Sequence, residues 1–156
     1  MLPLFQWFEA TFLGTVVRQS LWLFPVIECV HLLALALLGG AVLAVDMRLL
    51  GWGLKSQPSS ELAAKLQPYM TGALVTGIVT GILMFLSEAI KCFYSPPFWY
   101  KMLLLALATL FAYTVRRRVA AAEPGTISPF MVRVTALASL ALWFGVGFSG
   151  RWIAFY

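Results

Sequence analysis

Four apolar stretches separated by short polar breaks set the plan of this chain. The longest is Leu21–Leu50, LWLFPVIECVHLLALALLGGAVLAVDMRLL, which between Trp22 and Val45 is apolar except at Glu28, Cys29 and His31. About 20 apolar residues carry a helix across a bilayer. On that rule, spans are predicted at about 21–47, 69–90, 98–117 and 129–149. Ahead of them, residues 1–17 place Leu4, Phe5, Phe8, Phe12 and Val16 at helical spacing, with Trp7 as an aromatic anchor. That pattern predicts an amphipathic helix lying along the membrane interface.

The breaks between stretches read as loops. Arg18-Gln19-Ser20 precedes the first span, and Trp52–Gln67, with Lys55, Pro58, Glu61 and Lys65, follows it. Ser59 or Ser60 is suited to cap a short helix leading to Pro68. Glu88 to Pro97 predicts a tight turn, and Arg116-Arg117-Arg118 with Glu123-Pro124-Gly125 closes the third span. Gly77 and Gly81 form a small-xxx-small pair, which lets helix backbones approach closely. The simplest use of that pair is core packing, and a homodimer seam is the alternative. The expected architecture is all-α: one integral membrane four-helix bundle spanning residues 1–156, with the additional N-terminal interfacial helix.

Composition supports this class and narrows the partners. Hydrophobic residues make up 62% of the 156 and charged residues 11%, more apolar surface than a soluble domain of this size could bury. The formal charge of +5 fits loops facing anionic lipid, so the bilayer rather than nucleic acid is the expected partner. Cys29 and Cys92 form neither a disulfide framework nor a CxxC pair. Residues 1–17 carry Glu9 and lack a basic leader, so a cleavable signal peptide is not expected. Arg48, Lys55, Lys65, Arg116, Arg117, Arg118 and Arg133 outnumber Arg18, Lys91, Lys101 and Arg151 on the other side. The positive-inside rule then puts the first set in the cytoplasm and both termini in the periplasm of a bacterial inner membrane. Asp46 and Arg48 read as interface markers, and the Arg116–Arg118 run as a topology anchor.

Candidate chemistry lies inside the spans. Ionisable groups at membrane depth are costly, and they usually face the bundle interior with a partner. Glu28 and His31, the only histidine, are three residues apart and hence on one helix face. Counted from Trp22 at 1.5 Å per residue, they lie roughly 9 and 14 Å inward. Lys101 starts the antiparallel third span from the same side, and its long stem can reach that depth. A polar cluster of Glu28, His31 and Lys101 is therefore expected in the outer half of the bundle, with Arg151 nearby.

Several readings of that cluster stay open. Glu28 and Lys101 can form a buried ion pair with His31 hydrogen-bonded beside it, which makes the protein a non-catalytic scaffold or accessory subunit. His31 can instead be the metal-binding residue of a site for haem b or another tetrapyrrole, with Lys101 and Arg151 pairing the propionates. A single histidine leaves the sixth iron position open, or filled by Met84 or by a second copy of the chain. A metal ion held by Glu28, His31 and Cys29 fits poorly, because Cys29 points about 100° away from Glu28. A proton or small-solute conduit is a further reading. The residues fix neither an enzymatic activity nor an electron or protein partner.

The segments FPVIECVHLLALALLGGAVLAVDMRLLG, SPPFWYKMLLLALATLFAY and LWFGVGFSGRWIAF together resemble a family of small bacterial inner-membrane proteins with no assigned function. More distantly, the layout is similar to the membrane-embedded, oxygen-independent protoporphyrinogen oxidases and to copper-resistance D type domains. The resemblance to the oxidases implies functional roles for a histidine of the first span and a lysine of the third, with haem on the histidine. By position these are His31 and Lys101. Glu28 has no counterpart in that pattern, and the Asp46–Arg48 ending differs from it.

Overall fold

The structure is a computed structural model that describes residues 2–53, 57–123 and 125–155. Lys55, counted above among the basic residues of its loop, lies outside the described residues. All regular structure among those described is helical: α1 (Leu2–Glu9), α2 (Phe12–Gln19), α3 (Leu23–Leu49), α4 (Ser59–Ser87), α5 (Ala89–Tyr94), α6 (Pro96–Phe111), α7 (Arg117–Ala121) and α8 (Pro129–Trp152). A π-helical turn, Ala112–Arg116, joins α6 to α7, and a 3₁₀ turn, Ile153–Phe155, follows α8. Leu23–Leu49, Ser59–Ser87, Pro96–Ala121 and Pro129–Phe155 are each long and apolar enough to cross a membrane. The chain is thus a four-span helical membrane protein, as its hydrophobic pattern predicts.

The ends of these helices follow local chemistry. Ser20 Oγ accepts from the Leu23 amide at 3.2 Å ahead of α3. Gly51 ends α3 with φ of +80°, a left-handed conformation that glycine adopts without a Cβ clash. Ser128 caps α8, its Oγ accepting from the Met131 amide, and Pro129 fills the first position, where an amide hydrogen has no helical partner.

Three boundaries depart from the sequence expectation. The second span begins at Ser59, ten residues before 69, and runs through Pro68 without ending. Proline removes one ladder bond but need not break a helix held by its neighbours. Here Leu62 anchors the first turns by packing with Val45, Leu49, Ala120 and Ala136. After Ser87 the chain forms the short helix α5 rather than a tight turn. The N-terminal segment is two helices broken at Ala10–Thr11, not one over 1–17, because Thr11 Oγ1 caps α2 at the Gly14 amide.

Those two helices are docked on the bundle. Phe5 is buried among Phe8, Phe85, Phe93 and Trp99, with ring centroids 5.1–6.4 Å apart. Glu9 pairs with Arg18 and accepts the Ile90 amide at 2.8 Å, tying α1 to α5. At Gly14, an added Cβ would lie 2.4 Å from the Leu86 carbonyl oxygen, so only glycine permits this approach of α2 to α4.

Packing within the membrane is uneven. Helix α3 lies along α4, α6 along α8, and α3 also touches α8, while the backbone of α6 scarcely meets α3 or α4. Gly77 and Gly81 serve the α3–α4 contact: a Cβ would meet Leu35 at 4.0 Å from Gly77 and the His31 ring at 3.3 Å from Gly81. One stripe of α3 is buried throughout: His31, Ala34, Leu38, Ala41, Val42, Val45, Asp46 and Leu49. It carries a polar group near each end, with apolar packing of Leu38, Val42, Met70, Leu74 and Ala112 between them.

Candidate functional site

His31 is the polar residue at the N-terminal end of the stripe, 8% exposed. Its Nδ1 lies 2.8 Å from Thr80 Oγ1. The Thr80 hydroxyl donates to the Thr76 carbonyl at 2.7 Å, with the Gly77 carbonyl at 3.2 Å. Its single hydrogen is thus committed to the backbone, and its lone pairs face the imidazole. Assigned from this network, the neutral ring carries its hydrogen on Nδ1 and its lone pair on Nε2. No hydrogen bond reaches Nε2 among the described residues.

Lys101 stands one turn into α6, half-buried, and its stem and Nζ lie 3.5 Å from where a Gly150 Cβ would be. Glycine at position 150 leaves room for the lysine to lie along α8. His31 thus packs against α4 and Lys101 against α8.

Glu28 pairs with neither. It is exposed and makes no ion pair or hydrogen bond among the described residues, so the expected Glu28–Lys101 pair is not formed. The reason is the limit of coverage rather than the face. Glu28 sits about 60° from His31 around the helix, at the edge of the stripe. No residue of α3 before His31 is fully buried, and only Phe24 and Ile27 of those first turns are partly covered. Arg151 lies at the same end but is exposed, with its guanidinium 5.3 Å above the Phe155 ring. Among the described residues no three His, Cys, Asp or Glu side chains come together as a metal site.

A second polar centre, at the C-terminal end of the stripe, was not apparent from the sequence. Asp46 is 0% and Arg116 4% exposed, and Arg116 Nε donates to Asp46 Oδ1 at 2.6 Å. Arg116 Nη2 donates to the Val42 carbonyl at 3.2 Å, and Nη1 meets only the Met70 sulfur at 3.5 Å. Asp46 Oδ2 and Ser139 Oγ are buried neighbours without a hydrogen bond in the structure. Asp46 is therefore not an interface marker, and Arg116 is not a surface anchor. Arg48, Arg117 and Arg118 do lie at that end, Arg48 donating to the Gln57 carbonyl at 2.7 Å.

The π turn explains how Arg116 comes to face inward. Ala108, Ala112, Arg116 and Ala120 are all buried and spaced by four. In an α-helix such a series drifts about 40° per step. A turn with i→i+5 bonding is wider and offsets part of that drift where the arginine enters.

The family model for a family of unknown function, DUF6644, matches residues 4–156. The chain belongs to that family. The match extends over both polar centres and adds no activity to either. No curated protein and no solved structure matches the chain. The comparisons thus lend no support to the likeness to protoporphyrinogen oxidases or copper-resistance D type domains.

Proposed function

We propose that this DUF6644 protein binds haem, or a closely related metallated tetrapyrrole, through His31 in the outer half of its bundle. The observation that carries the reading is the His31–Thr80 contact. It fixes the ring through Nδ1 and leaves the Nε2 lone pair free, as an axial imidazole ligand requires. Bundle interiors between facing helices are common cofactor sites. When bound, the iron would supply one-electron redox chemistry. The protein's own part is to hold the ring, exclude water, and offer the Lys101 ammonium, with Arg151 at the rim, to acidic substituents. The pocket would lie between α6 and the α3–α4 pair, where backbones are already apart. In the same reading, the arginine-rich end faces the cytoplasm of a bacterial inner membrane and both termini lie outside.

A second reading has its own support. His31 lines neither of two grooves of the structure, of about 340 and 380 Å³. An accessory subunit, whose polar contacts only fix helix packing, needs no cavity at the ring.

The absorption spectrum of the detergent-purified protein, before and after added haemin, decides between them. The expected result is a Soret band that is lost in His31→Ala and retained in Glu28→Gln. Thr80→Val keeps the ring but removes its orienting partner and should weaken haemin binding about 10- to 100-fold. A colourless preparation that takes up no haemin overturns the proposal and leaves the accessory role.

A further inference from the structure

We infer that the groove at the arginine-rich end is a binding site for one anionic phospholipid. This inference is independent of the haem reading. The groove, of about 340 Å³, runs between α4 and α7 over a floor formed by α3. Its walls are small and apolar, with Ala41, Val45, Ala63, Ala64 and Ala120 among them. Side chains of this size leave a channel that an acyl chain can fill. Among the described residues, the charged ones lining it are Arg116 and Arg117, and no carboxylate lines it. A groove with an apolar floor and a purely cationic lining complements an anionic headgroup carrying a hydrocarbon tail.

The two arginines differ in a way that defines the site. Arg117 is exposed and has no ion pair or hydrogen bond among the described residues. Arg116 is buried, with Nε and Nη2 engaged by Asp46 and Val42, yet its Nη1 donates to nothing stronger than a thioether. Thioether sulfur is a weak acceptor, so a buried guanidinium edge keeps unspent donor capacity in the wall of the groove. A phosphate oxygen is the strong acceptor that such an edge lacks. Ser60 and Gln67 add neutral polar groups to the same lining. Arg118, the next residue, does not line the groove and supplies an internal control.

Lipid binding can be counted by native mass spectrometry of the delipidated full-length protein titrated with phosphatidylglycerol or phosphatidylcholine. One phosphatidylglycerol should bind in preference to phosphatidylcholine. Arg117→Gln should weaken that binding about fivefold to tenfold, and Arg118→Gln should leave it unchanged. Ala64→Phe, which fills an exposed part of the groove, should weaken it as well, with helicity by circular dichroism intact. Equal binding of the two lipids overturns the inference. So does an equal loss in Arg117→Gln and Arg118→Gln, which would indicate a diffuse basic belt. Inorganic phosphate that competes as well as the lipid would mark a phosphate site and also overturn it.

Discussion

Removing Arg116 should cost this protein more stability than removing its partner Asp46, although each change breaks the same ion pair. In Arg116→Met the Asp46 carboxylate, 0% exposed, loses its charged hydrogen-bond donor, and among the described residues its Oδ2 has no bonded partner, with the neutral Ser139 hydroxyl beside it. The aspartate stem is too short to carry the charge to water. Breaking a buried pair in this way costs about 3–5 kcal/mol, and the bond to the Val42 carbonyl is lost too. In Asp46→Leu the stranded charge is on a long, flexible stem beside the groove that Arg116 lines. The guanidinium can turn toward the groove and water, which limits the cost to about 1–3 kcal/mol. The double variant Asp46→Leu/Arg116→Met strands nothing and should come within about 1 kcal/mol of the native protein. Reversible unfolding in mixed micelles, followed by circular dichroism and tryptophan fluorescence, measures all four species. A double variant whose loss equals the sum of the single losses, to within about 0.5 kcal/mol, refutes the reasoning. Single variants of equal cost would refute the asymmetry.

Other positions give simpler expectations. Gly14→Ala places a Cβ 2.4 Å from the Leu86 carbonyl, a backbone atom that cannot rotate away, and should lower stability by about 1–3 kcal/mol in the same unfolding assay. Glu28→Gln should change stability by no more than about 0.5 kcal/mol, because the carboxylate is exposed and unpaired; a larger loss would show a buried partner. Burial in α5 pushes the Cys92 thiol from 9.0 up to about 11. The raised value means less thiolate at any pH below it. Maleimide labelling of Cys92 in a Cys29→Ser background at pH 8 should therefore be about 100-fold slower than for an ordinary thiol, accelerating as pH rises toward 11. A rate equal to that of the unfolded protein would contradict this.

Hydrophobic length was the most legible feature of the chain, since membrane thickness sets it and tertiary packing barely enters. Boundaries were less so. Pro68 looked like a terminus because proline weakens a helix locally, whereas Leu62 and its neighbours hold the preceding turns in place. The burial of the His31 face was legible in the sequence, while Lys101 lies along α8 at Gly150. Glu28, on almost the same face, fails because burial depends on what covers a turn as well as on the direction of the side chain.

The Asp46–Arg116 centre shows why proximity to a span end is a poor guide to a charged residue's role. Asp46 and Arg116 both sit beside basic residues that do face water, and composition alone cannot separate them. The periodic pattern can. Asp46 is fifteen residues beyond His31, which is four turns and about 60° at 3.6 residues per turn, so it stays at the edge of the same buried stripe. Arg116 continues the four-spaced series Ala108, Ala112 and Ala120, whose small side chains mark a close helix contact. A carboxylate and a guanidinium that fall on two inward-facing series at the same membrane end have only each other to neutralise their charge. Glu28 falls at the same angular position as Asp46 on α3, yet it is exposed and pairs with no cation among the described residues. What separates the two carboxylates is therefore the helix opposite: Asp46 has Arg116 and Ser139 across from it, and that partnership is what the double-variant experiment measures.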